Sequence, residues 1–170
     1  MITQMRVKGL IFDPYNNAYI VVLRDEENSD MLPIWVGKSE ASAIGLALES
    51  VTAPRPMTHD LMKSFLETFD AKIISVVITD LNENTYFATI HLMYEDSEYT
   101  VDSRPSDAIA LALRTKSPIF VAKAVLEASS ILQQNEEGKE PPVENVSNVS
   151  QEKWAEILEK MTPDDFKYKM

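Results

Sequence analysis

The stretch Tyr99-Thr100-Val101-Asp102-Ser103-Arg104-Pro105-Ser106-Asp107-Ala108-Ile109-Ala110-Leu111-Ala112-Leu113 changes period at its middle. Tyr99 to Val101 reads as a short strand. Pro105 suits the first position of a helix, because the N–H it lacks has no intrahelical partner there. A helix is therefore expected over Pro105 to Leu113. The same passage from strand to apolar helix occurs earlier. Leu32 to Val36 reads as a strand, and from Ser39, a candidate N-cap, Ile44, Ala47, Leu48 and Val51 recur at helical spacing.

The two passages align. Val36, Ala43-Ile44, Leu46, Ala47 and Leu48 match Val101, Ala108-Ile109, Leu111, Ala112 and Leu113 at a shift of 65 residues. Upstream, Asp13, Asn17 and Tyr19 match Asp80, Asn84 and Tyr86 at a shift of 67. Strand patterns over Arg6 to Phe12, Ala18 to Leu23, Ala71 to Ile78 and Tyr86 to Tyr94 fill out both halves. Thr58 reads as the cap of a helix whose Leu61, Phe65, Leu66 and Phe69 share one face, and a further helix is expected over Val121 to Ala128. Any two strand–helix units match in part, but the shared order favours a repeat. The expectation is an α+β fold of internally duplicated β-β-β-α-α units, with packed mixed or antiparallel sheets and flanking helices. Ile44, Leu48, Leu66, Ile78, Ile90, Ile109 and Leu113 are the expected core.

Beyond that region the composition shifts. Residues 1–132 read as one domain, 133–150 as a linker rich in polar residues and proline, and 151–170 as a tail with Trp154, Ile157, Leu158 and Met161 at helical spacing. The chain has 170 residues, 45% of them hydrophobic, enough for one domain that needs no covalent staple. The absence of cysteine removes disulfides, thiolate zinc sites and a cysteine nucleophile. Without an apolar leader or a run of about 20 apolar residues, a soluble cytoplasmic protein with no membrane span is expected.

Charge and glycine content narrow the function. The 27 Asp+Glu against 16 Lys+Arg give a net charge of −11, contrary to what general binding of phosphate backbones requires. With four glycines there is no dinucleotide-binding loop. Gly37-Lys38-Ser39 resembles the end of a phosphate loop, but Leu32 stands where that loop needs its first glycine.

Several polar residues ask for an explanation. His91 lies in a strand and points away from the apolar alternation of Ala88, Ile90, Leu92 and Tyr94, as an exposed sheet residue. His59 follows Arg55 and precedes Asp60 at a helix start, a setting that can bind phosphate or help hold a metal. Helix capping and the helix dipole account for Thr58 and Asp60 equally well. Asp107 is the third residue of its helix, where a carboxylate caps free N–H groups. Asp102 and Arg104 lie outside that helix and form either a surface ion pair or the lining of a cleft. Glu40, Asp60, Asp102 and Asp107, all near helix starts, supply oxygen donors for a hard cation if they converge.

The segments Leu32-Pro33-Ile34-Trp35-Val36-Gly37 with Glu40, Arg55-Pro56-Met57-Thr58-His59-Asp60-Leu61, Asp102-Ser103-Arg104-Pro105-Ser106-Asp107-Ala108-Ile109 and Pro118-Ile119-Phe120-Val121 resemble the bifunctional nuclease (DNase/RNase) domain family in the same order. The resemblance covers about Met1 to Leu132 and implies hydrolysis of phosphodiester bonds in DNA and RNA. It brings no settled catalytic set. That core is itself acidic, with 11 Lys+Arg and 18 Asp+Glu, so a nuclease built on it calls for a metal at the phosphate and a local basic strip. Arg55, Lys63, Arg104, Arg114 and Lys116 are the candidates for the strip.

Two readings follow. In the first, a metal-dependent nuclease acts on nucleic acid. Glu40, Asp60, Asp102 or Asp107 hold Mg²⁺ or Mn²⁺, His59 with Asp60, Asp102 and Asp107 forms the catalytic set, and Arg55 and Arg104 bind substrate phosphate. In the second, the chain is a non-catalytic oligomeric binding or regulatory module for a small anion or a protein partner. Open edge strands and the spare apolar stripe of the tail predict a homo-oligomer, in the first place a homodimer. His59, Asp60, Asp102, Arg104 and Asp107 are expected to line one cleft.

Overall fold

The computed structural model describes residues 1–14, 17–27 and 29–136, with no side chain described beyond Ser130. The described part is essentially the compact unit Met1–Gln134; the second unit, Asn135–Met170, lies almost wholly outside it, as do most of the expected linker and the expected tail helix.

The elements run β1 (Ile2–Asp13), β2 (Ala18–Asp25), β3 (Met31–Val36), α1 (Lys38–Leu48), α2 (Thr58–Thr68), β4 (Lys72–Asn82), β5 (Thr85–Tyr94), β6 (Ser97–Ser103), α3 (Pro105–Thr115), β7 (Ile119–Ala122) and α4 (Lys123–Glu136). The fold class is α+β, as expected. The strands form one mixed seven-stranded sheet in the order β3-β2-β1-β7-β4-β5-β6. Two antiparallel meanders are joined by β7, which pairs antiparallel with β1 and parallel with β4.

This differs from the expected plan in three ways. The first half is β-β-β-α-α, but the second is β-β-β-α-β-α, so it does not repeat the first element for element. Val121 belongs to β7, and the helix expected from it begins at Lys123 and runs to Glu136, past the expected start of the linker. The helix starts also move: Gly37 caps α1 in place of Ser39, and Met57 caps α2 in place of Thr58.

Local chemistry explains the meanders. The β4–β5 and β5–β6 connections place Glu83 and Asn84, then Glu95 and Asp96, at positive φ, the backbone of two-residue hairpin turns whose twist matches the strands. Strand alternation then defines two faces. On the helix-covered face lie Leu32, Ile34, Val21, Leu23, Val76, Ile78, Ala88 and Ile90, all buried. On the other, Met31 and Trp35 of β3 and Phe87 of β5 are exposed.

α3 is the central helix. Pro105, Ser106 and all of Ala108 to Ala112 are buried, and it packs on α1, α2, β4 and β5. Its three alanines at 108, 110 and 112 keep the helix thin enough for neighbours on every side. Of the expected core, Ile44, Ile78, Ile90 and Ile109 are buried, while Leu48, Leu66 and Leu113 are half-buried. The face of α2 is a correction. Leu61, Phe65 and Phe69 are exposed, and His59 is the one buried residue of the helix. The periodicity marks a true apolar face, but α2 docks through its other side.

Candidate functional site

Three helices begin close together, and each carries a carboxylate at its third position: Glu40 in α1, Asp60 in α2 and Asp107 in α3. Glu40 thus shares its helical position with Asp107, although the sequence shift set it beside Pro105. Negative charge is favoured here by the free N–H groups and the positive end of each helix dipole.

Asp107 is the hub. Its Oδ1 lies 3.0 Å from His59 Nε2. Arg104 grips the same carboxylate with two bonds, Nε to Oδ2 at 2.7 Å and Nη2 to Oδ1 at 3.2 Å. Arg104 Nη1 also donates to Glu40 Oε1 at 3.1 Å. Burial by itself pushes the Asp107 carboxyl up, but the hydrogen bonds and charges of Arg104 and His59 outweigh it and hold the pKa below the ordinary 3.8. The Asp107 hydrogen bond and charge, then Glu40, raise Arg104. With Asp107 ionised, its oxygen accepts and Nε2 of His59 donates, which leaves Nδ1 as the imidazole's second nitrogen. Three of the five guanidinium N–H donors of Arg104 are used, and its side chain is 64% exposed, so two remain for a ligand.

A second pin lies beside the first. Asp60 Oδ2 accepts the Met57 N–H at 3.0 Å, and its Oδ1 accepts from Arg114 Nε at 2.6 Å. Arg114 Nη1 donates to the carbonyls of Ala43 and Ala110, each at 2.9 Å. Burial raises the Asp60 carboxyl, and the hydrogen bonds from Arg114 and Met57, with the charges of Arg114 and His59, bring it below 3.8. Consecutive residues of α2, His59 and Asp60, therefore hold residues of α3 two turns apart, Asp107 and Arg114.

The expected site is assembled in part. His59, Asp107, Arg104 and Glu40 come together. Asp60 lies beside them but is committed to Arg114. Asp102 does not join them: it pairs with Thr89 across β5–β6, whereas its neighbour Ser103 pairs with the buried Ala88. Alternation therefore puts Asp102 on the sheet face away from the helices. His91 is on that side too, with Nδ1 3.1 Å from Glu98 Oε1. Arg55 is exposed on the loop before α2 and makes no hydrogen bond or ion pair to the cluster among the described residues. Arg114, expected in a basic strip, is 8% exposed and its guanidinium is spent inside the fold. The signal for it was its seven-residue spacing from Asp107 on one helix.

The carboxylates do not form a cation site as they stand. Arg104 occupies Glu40 and Asp107, Arg114 occupies Asp60, and Asp102 is elsewhere. Among the described residues, no three of His, Asp and Glu are placed to hold a metal ion. What the cluster offers is a hydrogen-bonded imidazole beside an exposed guanidinium with donors to spare.

Fold and cluster define an α+β protein whose polar chemistry is gathered where three helices start. The model of the bifunctional nuclease domain matches residues 21–134, and the chain belongs to that family. An uncharacterized protein of Mycobacterium tuberculosis is 37% identical over 164 residues, 96% of this chain and 98% of that protein. Bifunctional nuclease 1 of Oryza sativa subsp. japonica is 31% identical over 111 residues, 63% of this chain and 34% of the rice protein. Bifunctional nuclease 2 of Arabidopsis thaliana is 30% identical over 107 residues, 61% of this chain and 32% of that protein. The chain thus resembles the bacterial relative over nearly its whole length and the plant nucleases over about a third of theirs. Among the described residues, no helix is long and apolar enough to cross a membrane.

Proposed function

We propose that this chain is a nuclease that hydrolyses phosphodiester bonds of DNA or RNA at the His59–Asp107–Arg104 cluster. Family membership supports the reaction class. The single observation that carries the site is the sharing of Asp107 between an imidazole and an exposed arginine. Arg104 uses its two remaining N–H donors on phosphate oxygens. Asp107 fixes the ring of His59 through Nε2, so that Nδ1 takes a proton from the attacking water or returns one to the leaving oxygen as the P–O bond breaks. Arg104, Asp107 and Glu40 together carry one net negative charge, so phosphate is drawn to the exposed guanidinium and not to the field of the cluster as a whole.

No step is routed through a metal, because the carboxylates are already held by arginines. Mg²⁺ or Mn²⁺ dependence is tested as a separate arm. A second reading, a non-catalytic module that binds an anion or a partner, draws support from the burial of His59, which is 9% exposed and also serves to dock α2.

The test is cleavage of single-stranded DNA and RNA by protein purified to constant specific activity, with and without chelator. His59→Ala and Arg104→Ala are expected to lose about 100-fold or more. Equal cleavage by wild type and both variants overturns the nuclease reading, and phosphate binding that survives without cleavage favours the module.

A further inference from the structure

α2 is fastened to the body by its polar side and turns its apolar side outward. Leu61, Phe65 and Phe69 are 49%, 57% and 62% exposed, and Met57 and Met62 are exposed beside them. Residues four apart stack along one line of a helix, so these three form a continuous stripe. Ser64 and Thr68 stand next to it, and both hydroxyls are spent within the helix, on Asp60 O at 2.9 Å and Ser64 O at 2.7 Å. Closing this face would leave neither of them without a partner. The charged residues of the helix body, Lys63 and Glu67, pair with each other at 3.4 Å and lie two positions off the stripe.

We propose that this stripe is a homodimer interface, in which two copies pair their α2 helices antiparallel about a twofold axis at Phe65. The occupant follows from three properties. Leu61 lies four residues before Phe65 and Phe69 four after, so an isologous pairing sets Phe65 on the partner's Phe65 and Leu61 on the partner's Phe69, with Met57 one turn beyond the paired stretch at each end. Five exposed side chains of about 100 Å² each cover roughly 1,000 Å² over two copies, near the lower bound for a specific interface. The face is uncharged on a chain of net charge −11, so it offers a charged partner nothing to read. Two such chains repel at long range, and salt screens that repulsion. His59 is buried on the opposite, docked side of α2, so the pairing covers the apolar stripe and not each copy's cluster.

The experiment is light scattering on the full chain at roughly 100 µM in about 0.05 M and about 0.5 M salt. Wild type is expected at twice the 19.2 kDa chain mass, with the dimer favoured by salt. Phe65→Glu is expected at the single-chain mass, with the melting temperature of wild type diluted until it is monomeric, since the residue is exposed in the single chain. Leu61→Lys and Phe69→Glu are each expected to weaken association by about tenfold. The double variant, which sets lysine opposite glutamate twice, is expected to dimerise more tightly than either. A wild-type monomer overturns the proposal, and slow exchange of α2 amides in that monomer would point to cover by the chain's own residues 137–170. A dimer that survives Phe65→Glu places the interface elsewhere, and a double variant no tighter than the singles rejects the antiparallel pairing.

Discussion

His59 Nε2 stands 3.0 Å from Asp107 Oδ1, across 48 residues of chain. The contact joins the second residue of α2 to the third of α3, so one hydrogen bond both docks a helix and orients an imidazole. Mutations here are therefore expected to move stability and chemistry together, and each needs a readout that separates them.

The acid limb of stability should report Asp107. Its pKa lies below 3.8 in the folded protein, so the folded state binds this proton less readily than the unfolded state. The contribution is full above about pH 4 and is lost as pH falls through the folded value. Asp60, lowered for similar reasons, acts in the same window. Melting temperatures measured from pH 6 down to about pH 2 should fall less steeply for Asp107→Asn than for wild type. Parallel curves would show that the pair adds nothing to folding.

Arg114 is expected to matter for folding more than its place at a helix end suggests. Its removal strands the Asp60 carboxylate and takes a donor from the carbonyls of Ala43 and Ala110. Arg114→Ala should cost about 2–3 kcal/mol in denaturant melts, below the figure for a fully buried pair because Asp60 is 37% exposed. Arg114→Lys should recover only part, since an ammonium cannot copy the planar fork.

Glu40 competes for Arg104 with any bound anion. Glu40→Gln removes one negative charge beside the guanidinium and should tighten inorganic phosphate roughly threefold, the scale of an exposed ion pair. Chemical-shift titration with phosphate measures it, and weaker binding by the variant would mean that Glu40 positions Arg104. Gly37→Ala tests the same contact from the backbone, because a Cβ there meets the Glu40 carboxylate. A small change in stability with altered phosphate affinity is expected.

The centre of the fold should respond as a packed core. Ile109 is fully buried on α3, and Ile109→Ala should cost about 3 kcal/mol through lost burial and an incompletely filled cavity. Urea unfolding with an unchanged m-value checks it.

Pro105 at a first helical position, Asp107 two residues later and the alternation of β5 are each decided by neighbours within a few residues, and those readings hold. The caps expected at Ser39 and Thr58 fall one or two residues earlier, at Gly37 and Met57. The sequence determined by itself that this is an α+β chain with apolar helices following β-meanders, and its motifs pointed to the family. Only the tertiary structure decided which residues meet. β7 is four residues long, too short to show a period, yet it merges two meanders into one sheet. Asp102 and Ser103 differ by one position, and the register of β6 on β5 sends them to opposite faces, which takes Asp102 out of the cluster. The apolar spacing of α2 was legible, but not the side from which it would be held: the ties of His59 to Asp107 and Asp60 to Arg114 decide that, and they lie 48 and 54 residues apart in the chain. Periodicity tells which face of an element is apolar; what covers that face depends on contacts between distant segments, which no local pattern encodes.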